Sequence, residues 1–290
     1  MNSYLFLRSH ARNVVVGLWA LCGSLLLVQT TLANPTEFAA NGRPTVLITG
    51  ANASHGLAFA EEYAARGWNV IASCRSPDKA ERLNALAADN TSVSVEELDI
   101  VDQEEIAALA EKYRETPIDV LINNAAINTF RFGPTRFGRM DYAWAEEILK
   151  VNILGQLMVS EAFQPHVAAS KQKKIISMTS TGGSIAETEI PIAPVYRASK
   201  AGLNMLMRSY ALTLKRKEII VGIIAPGTVD TADYMNAEDP DSVPRNYQMM
   251  MKAGRLAPRT AIDDMISLID GMTLEDSGVY YEWTGRVIPW

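Results

Sequence analysis

From residue 45 onward the hydrophobic positions of this chain follow two alternating rhythms. Short apolar runs rich in Val, Ile and Leu predict strands at 45–49, 69–73, 92–98, 119–122, 174–178 and 219–224, and a last one near 279–281. Between them, apolar residues spaced by three and four predict helices over 57–66, 78–88, 102–114, 144–166 and 196–215. Strands that are apolar nearly throughout are buried on both faces. The alternation therefore predicts an α/β fold, a doubly wound Rossmann-type parallel sheet of about seven strands with helices on both sides. Segment 232–255 breaks the rhythm with methionines, acidic residues and two prolines, and is expected to be a lid or a substrate-facing insertion.

Ahead of residue 45 the pattern is different. Arg8, His10 and Arg12 make a positive start, residues 14–28 are apolar and uncharged, and Thr31-Leu32-Ala33 offers small residues for cleavage. This predicts an export signal over 1–33 and a periplasmic or other extracytoplasmic location. The apolar run, roughly 15 residues, is shorter than the ~20 of a spanning helix. An N-terminal anchor extended to residue 33 is the alternative, and a misassigned start would leave the protein cytoplasmic. Residues 34–44, with two prolines and Gly42, read as a linker to a single domain over 45–290.

Composition narrows the chemistry. The 33 acidic residues outnumber the 27 basic ones, and the net charge of −6 argues against nucleic acid as a partner. Cys22 and Cys74 are the only cysteines, and His10, His55 and His166 are scattered, so neither a disulfide framework nor a metal centre is expected. Hydroxyls, amines and an organic cofactor remain, acting on a small molecule.

Four local patterns supply that chemistry. Thr49-Gly50-Ala51-Asn52-Ala53-Ser54-His55-Gly56 joins the first strand to a helix; Gly50 allows a sharp turn and Gly56 a close approach, aiming the helix amides at a pyrophosphate. At the end of the second strand, Ser73-Cys74-Arg75-Ser76 offers an arginine suited to the extra phosphate of NADP, so NADP(H) is favoured, with NAD(H) as the alternative. Tyr196 and Lys200 lie at i and i+4 on one helix face, where an ammonium is expected to lower the phenol's pKa. Asn152 places a polar amide inside an apolar helix and needs a partner there.

Together these residues resemble the short-chain dehydrogenase/reductase superfamily over 45–290. Tyr63-Ala64-Ala65-Arg66-Gly67-Trp68 and the ending Gly285-Arg286-Val287-Ile288-Pro289-Trp290 resemble its C-factor-like, sniffer-like carbonyl reductases. The first turn is similar to T-G-x-x-x-G-x-G, except that Ser54 replaces the middle glycine. Its hydroxyl is then expected to donate to the pyrophosphate, with a protonated His55 adding a charge-assisted contact. The resemblance implies cofactor contacts from Thr49, Gly50, Asn52, Ser54, His55, Gly56 and Arg75, and from Asp99 and Ile100 at the adenine. It extends them to Asn123 and Ala125 in an N-N-A-G-like element, to Tyr196 and Lys200, and to Pro226, Gly227, Val229 and Thr231 at the carboxamide. Thr228 and Asp230 depart from the subgroup and imply altered substrate contacts.

The implied reaction is hydride transfer between NADP(H) and a carbonyl or alcohol. Tyr196 would act as acid/base, Ser180 would hold the substrate oxygen (with Thr179 and Ser184 as alternatives), and Lys200 would be supported by a proton relay through Asn152. The rival reading is a C-factor-like dinucleotide-binding signalling protein with weak or no catalysis. The resemblance also allows a homo-oligomer, and it leaves residues 14–33 as the one route to a membrane.

Overall fold

The structure, a computed structural model, describes residues 35–127, 135–189, 191–232, 234–237, 239–254 and 256–290. The expected signal or anchor over 1–33 lies outside the described residues, with His10 and Cys22. Among the described residues no helix is long and apolar enough to cross a membrane.

Helix α1 (Pro35–Ala40) corrects the expected linker. Phe38 is buried 6.4 Å from the ring of Tyr113, and the Pro35 carbonyl accepts a hydrogen bond from Thr116 Oγ1. Six residues with one apolar anchor are too few to show a helical period, so packing rather than pattern holds this segment.

Strand β1 (Thr45–Thr49), helix α2 (Ser54–Ala65) and strand β2 (Asn69–Cys74) form the first βαβ unit. Helix α3 (Glu81–Asp89), strand β3 (Val93–Glu97), helix α4 (Gln103–Lys112) and strand β4 (Val120–Asn123) complete the first half. A hairpin of β5 (Thr135–Arg136) and β6 (Arg139–Met140), absent from the sequence reading, precedes helix α5 (Tyr142–Leu149). A π-helical segment, Lys150–Gly155, joins α5 to α6 (Gln156–Ala168), so the one helix expected over 144–166 is two helices with a widened turn between them.

Strand β7 (Lys174–Met178), helix α7 (Pro194–Leu214) and strand β8 (Ile220–Ala225) follow. After them come short strands β9 (Thr228–Val229) and β10 (Leu256–Ala257) flanking α8 (Arg245–Lys252), then α9 (Ala261–Gly271) and β11 (Tyr280–Glu282).

Seven strands make one sheet in the order β11-β8-β7-β4-β1-β2-β3, every neighbouring pair parallel. Alternate strand residues serve opposite cores, as the period of two requires. Val46, Ile48, Val70 and Ile122 pack under α2 and α9 with Phe59, Tyr63, Met265 and Ile269. Leu47, Ile71, Leu121 and Ile175 pack under α4, α6 and α7 with Leu109, Phe163 and Leu203. Burial on both faces explains the unbroken apolar runs, and it brings all seven carboxyl ends to one edge, where loops rather than core side chains meet.

Candidate active site

A cleft of about 1240 Å³ opens along that edge. At one end lies the turn after β1. Gly50 has φ 65°, and a Cβ on it would meet Ala125 Cα at 2.9 Å. A Cβ on Gly56 would meet the Gly50 carbonyl oxygen at 2.2 Å, so neither position accepts a side chain. Ala53, which precedes α2, contributes no side-chain cap, so the first amides of the helix are left for a ligand. A cradle that any Cβ would fill, ending on an uncapped helix N-terminus, fits a pyrophosphate. Arg75 lines the same end of the cleft, exposed and without an ion pair among the described residues. A free guanidinium there fits a further phosphate.

Ser54 is the irregular member. Its φ is 50°, in the left-handed region, which explains why the motif it resembles carries glycine at this place. Its hydroxyl lies 3.4 Å from His55 Nδ1. Burial pushes His55 down to about 4, so the ring is neutral at physiological pH and the expected charge-assisted contact is not available.

The reacting groups stand at the inner end. Helix α7 begins at Pro194, whose fixed φ suits a first turn, and presents Tyr196 and Lys200 on one face. Lys200 is 2% exposed, and its Nζ donates to the Met178 carbonyl at 2.9 Å and lies 5.9 Å from the Tyr196 ring centroid. Burial lowers Lys200 to about 7. It also raises the Tyr196 phenol, which a hydrogen bond from Ser180 partly offsets. This corrects the expectation that lysine depresses the phenol. The ammonium turns toward a carbonyl, and desolvation dominates.

Of Thr179, Ser180 and Ser184, Ser180 is the one that holds the Tyr196 phenol down, and its Oγ accepts from the Gly182 amide at 3.1 Å. Thr179 turns inward to Asn204 Oδ1 at 2.6 Å, and Ser184 donates to the Pro289 carbonyl at 2.6 Å. Gly50, Asn52, Ser54, His55, Arg75, Asp99, Ile100, Ala125, Ser180, Tyr196, Lys200, Pro226, Gly227 and Val229 all line the cleft.

Four of the expected cofactor contacts do not line it. Thr49 Oγ1 accepts from the amides of Asn124 and Ala125, both at 3.0 Å, and so ties β1 to β4. Gly56 sits beneath the turn that it makes possible. Asn123 is fully buried and donates to Ser160 Oγ at 2.8 Å. Thr231 lies beyond the lining, its amide turned back on the Val229 carbonyl.

Asn152 is also fully buried and away from the cleft. Its Oδ1 accepts from the Ile127 amide at 2.7 Å, and its Nδ2 donates to the Ile127 carbonyl and to Ser199 Oγ, both at 3.0 Å. It positions the cleft wall. Asp230, expected near substrate, is instead buried and accepts from the amides of Tyr234 and Met235.

The cleft also takes residues the sequence reading missed. Glu187, Glu189 and Arg197 come from the stretch after Ser180, and Trp283 and Thr284 from the chain after β11. Only folding brings them in, since no local pattern marks them. Tyr247 and Met250 on α8 line the cleft too, as expected for an insertion facing the substrate.

A doubly wound parallel sheet with a dinucleotide cradle at one end of its carboxyl edge and a Ser–Tyr–Lys group at the other defines a Rossmann-type oxidoreductase. The sequence pattern of the short chain dehydrogenase family matches residues 44–242, and the chain belongs to that family. It is similar to C-signal of Myxococcus xanthus, with 30% identity over 174 residues, 60% of this chain and 93% of that protein. It is also similar to the crystal structure of NADPH-bound carbonyl reductase from chicken fatty liver: 27% identity, TM-score 0.71, 86% of this chain and 100% of that one. The carbonyl reductase Sniffer of D. melanogaster shares the fold at 22% identity and TM-score 0.69, with coverage of 86% and 100%.

Proposed function

We propose that this oxidoreductase uses NADP(H) to reduce a carbonyl compound to an alcohol, with the reverse oxidation open to the same residues. The observation that carries the reading is a half-buried phenol, set between Ser180 and a buried lysine, in the same cleft as Gly50 and Arg75. Bound NADPH supplies the hydride. Tyr196, its phenol raised by burial, is protonated at neutral pH and so poised as the acid that completes carbonyl reduction. Ser180 steadies the oxygen as negative charge develops on it. Lys200, at about 7, is able to exchange protons at neutral pH beside the Tyr196 ring. Arg75 supports NADP(H) over NAD(H), as does similarity to an NADPH-bound carbonyl reductase.

Tyr196→Phe tests this directly. Loss of NADPH absorbance would be followed across a panel of aldehydes, ketones and quinones. Turnover is expected to fall by about 10²–10⁴ while NADPH affinity, read by fluorescence titration, stays within error. Equal turnover by variant and parent removes Tyr196 from the mechanism. Ser54 at positive φ and the similarity to C-signal favour a second reading, dinucleotide binding without catalysis. That reading predicts NADPH binding with no turnover on any member of the panel.

A further inference from the structure

The loop that carries Ser180 has a single 3-10 turn, Thr181–Gly183, in which the Gly182 amide donates to Ser180 Oγ, and the placing of that turn against the cleft needs support from outside the loop. Much of that support comes from a hundred residues away. Tyr280 on β11 is 1% exposed, and its hydroxyl donates to the Ser180 carbonyl. Burial pushes the Tyr280 phenol well up, which keeps it a donor at any working pH.

Beyond β11 the chain turns through Gly285, at φ 84°, and runs back antiparallel, with Tyr281 bridging Val287 and the Ile288 amide donating to the Tyr280 carbonyl. This return lays the Trp290 ring over Tyr280, with centroids 5.4 Å apart and planes at 24°. It also delivers two acceptors to the loop: the Pro289 carbonyl takes Ser184 Oγ, and the Trp290 carbonyl takes the Ala186 amide at 2.9 Å. Arg286 holds Glu187 at 2.8 Å.

We propose that Tyr280, clamped by the returning segment 286–290, is a positioning residue that fixes Ser180 for the reaction. The proposal rests on Ser180 acting as described under Proposed function. A residue needed only for packing would act through its ring, which Phe preserves; a positioning residue acts through the hydroxyl.

Tyr280→Phe, made in the full chain, separates the two roles. The kcat is expected to fall about 10- to 100-fold, with the KM for NADPH and its binding affinity unchanged, because a loosened loop misplaces Ser180 without touching the phosphate cradle. Amide hydrogen exchange at Gly182, Gly183 and Ala186, measured without substrate, should accelerate about tenfold. In a Ser180→Ala background the same change should cost no further turnover. Trp290→Phe should keep the parent behaviour and Trp290→Ala should approach that of Tyr280→Phe.

Unchanged exchange, an unchanged kcat or losses that add in the double variant would each overturn the proposal. If Ser180→Ala leaves turnover intact, the reading of Ser180 falls together with it. A Ser180 effect that Tyr280→Phe does not share removes the positioning role alone.

Discussion

Ser54 carries a conformational cost in the turn that defines the cofactor end of the cleft. Left-handed backbone costs an ordinary L-residue roughly 1–2 kcal/mol. Glycine would avoid that cost while losing part of the gain to its freer unfolded chain. Ser54→Gly is therefore expected to raise stability by about 1 kcal/mol, a melting-temperature gain of roughly 2–4 °C for a domain of this size, and to tighten NADPH binding by removing a side chain from the cleft lining. Calorimetry and a fluorescence titration read the two effects, and a lower melting temperature would show that the serine stabilises the turn. At this scale the sequence was legible wherever chemistry is local. Gly50, Arg75, Tyr196 and Lys200 sit in short patterns whose physics needs only their neighbours. Tyr280 and Trp283 were invisible because what matters is the distant loop or cleft they reach.

The π-helical segment between α5 and α6 shows what periodicity cannot see. One widened turn leaves the three-and-four spacing of apolar residues almost intact, so 144–166 reads as a single helix. Asn152 lies within that turn and engages both polar groups of the Ile127 backbone and Ser199. Asn152→Ala leaves half-buried Ile127 backbone groups without their side-chain partner, at roughly 1–3 kcal/mol. Urea denaturation should show that loss, together with a higher KM for substrate, since Ile127 lines the cleft wall; unchanged stability would mean water replaces the amide. The sheet strands were legible to within a residue or two, because burial on both faces writes itself as continuous hydrophobicity. The pieces that escaped are α1 and the hairpin of β5 and β6, too short to display a period, and α9, an eleven-residue helix that no expected element covers.

At the scale of the whole molecule, the buried ionisable groups tie stability to pH. Lys200 falls from 10.5 to about 7 on folding, so between those values the unfolded chain binds more protons than the folded one and stability rises with pH. Below about pH 7 the full cost of burying its charge applies. Lys200→Met is therefore expected to be more stable than the parent by roughly 2–4 kcal/mol near pH 6, the gap closing toward about pH 10. His55, lowered to about 4, adds a separate loss of stability as pH falls below about 6.5. Chemical denaturation across pH measures both slopes, and a gap independent of pH would show that Lys200 is not held near neutrality.

The strand order also has a bearing on biosynthesis. Strands β1 to β4 lie side by side as one contiguous half of the sheet, whereas β7, β8 and β11 join successively at the β4 edge. A chain emerging from the ribosome can thus assemble its nucleotide half early, while the strand that braces Ser180 is translated last and pairs across a long sequence separation, a slow step in folding. Nascent chains should bind dinucleotide before they can turn over substrate, and catalytic competence should arrive with the docking of the final strand.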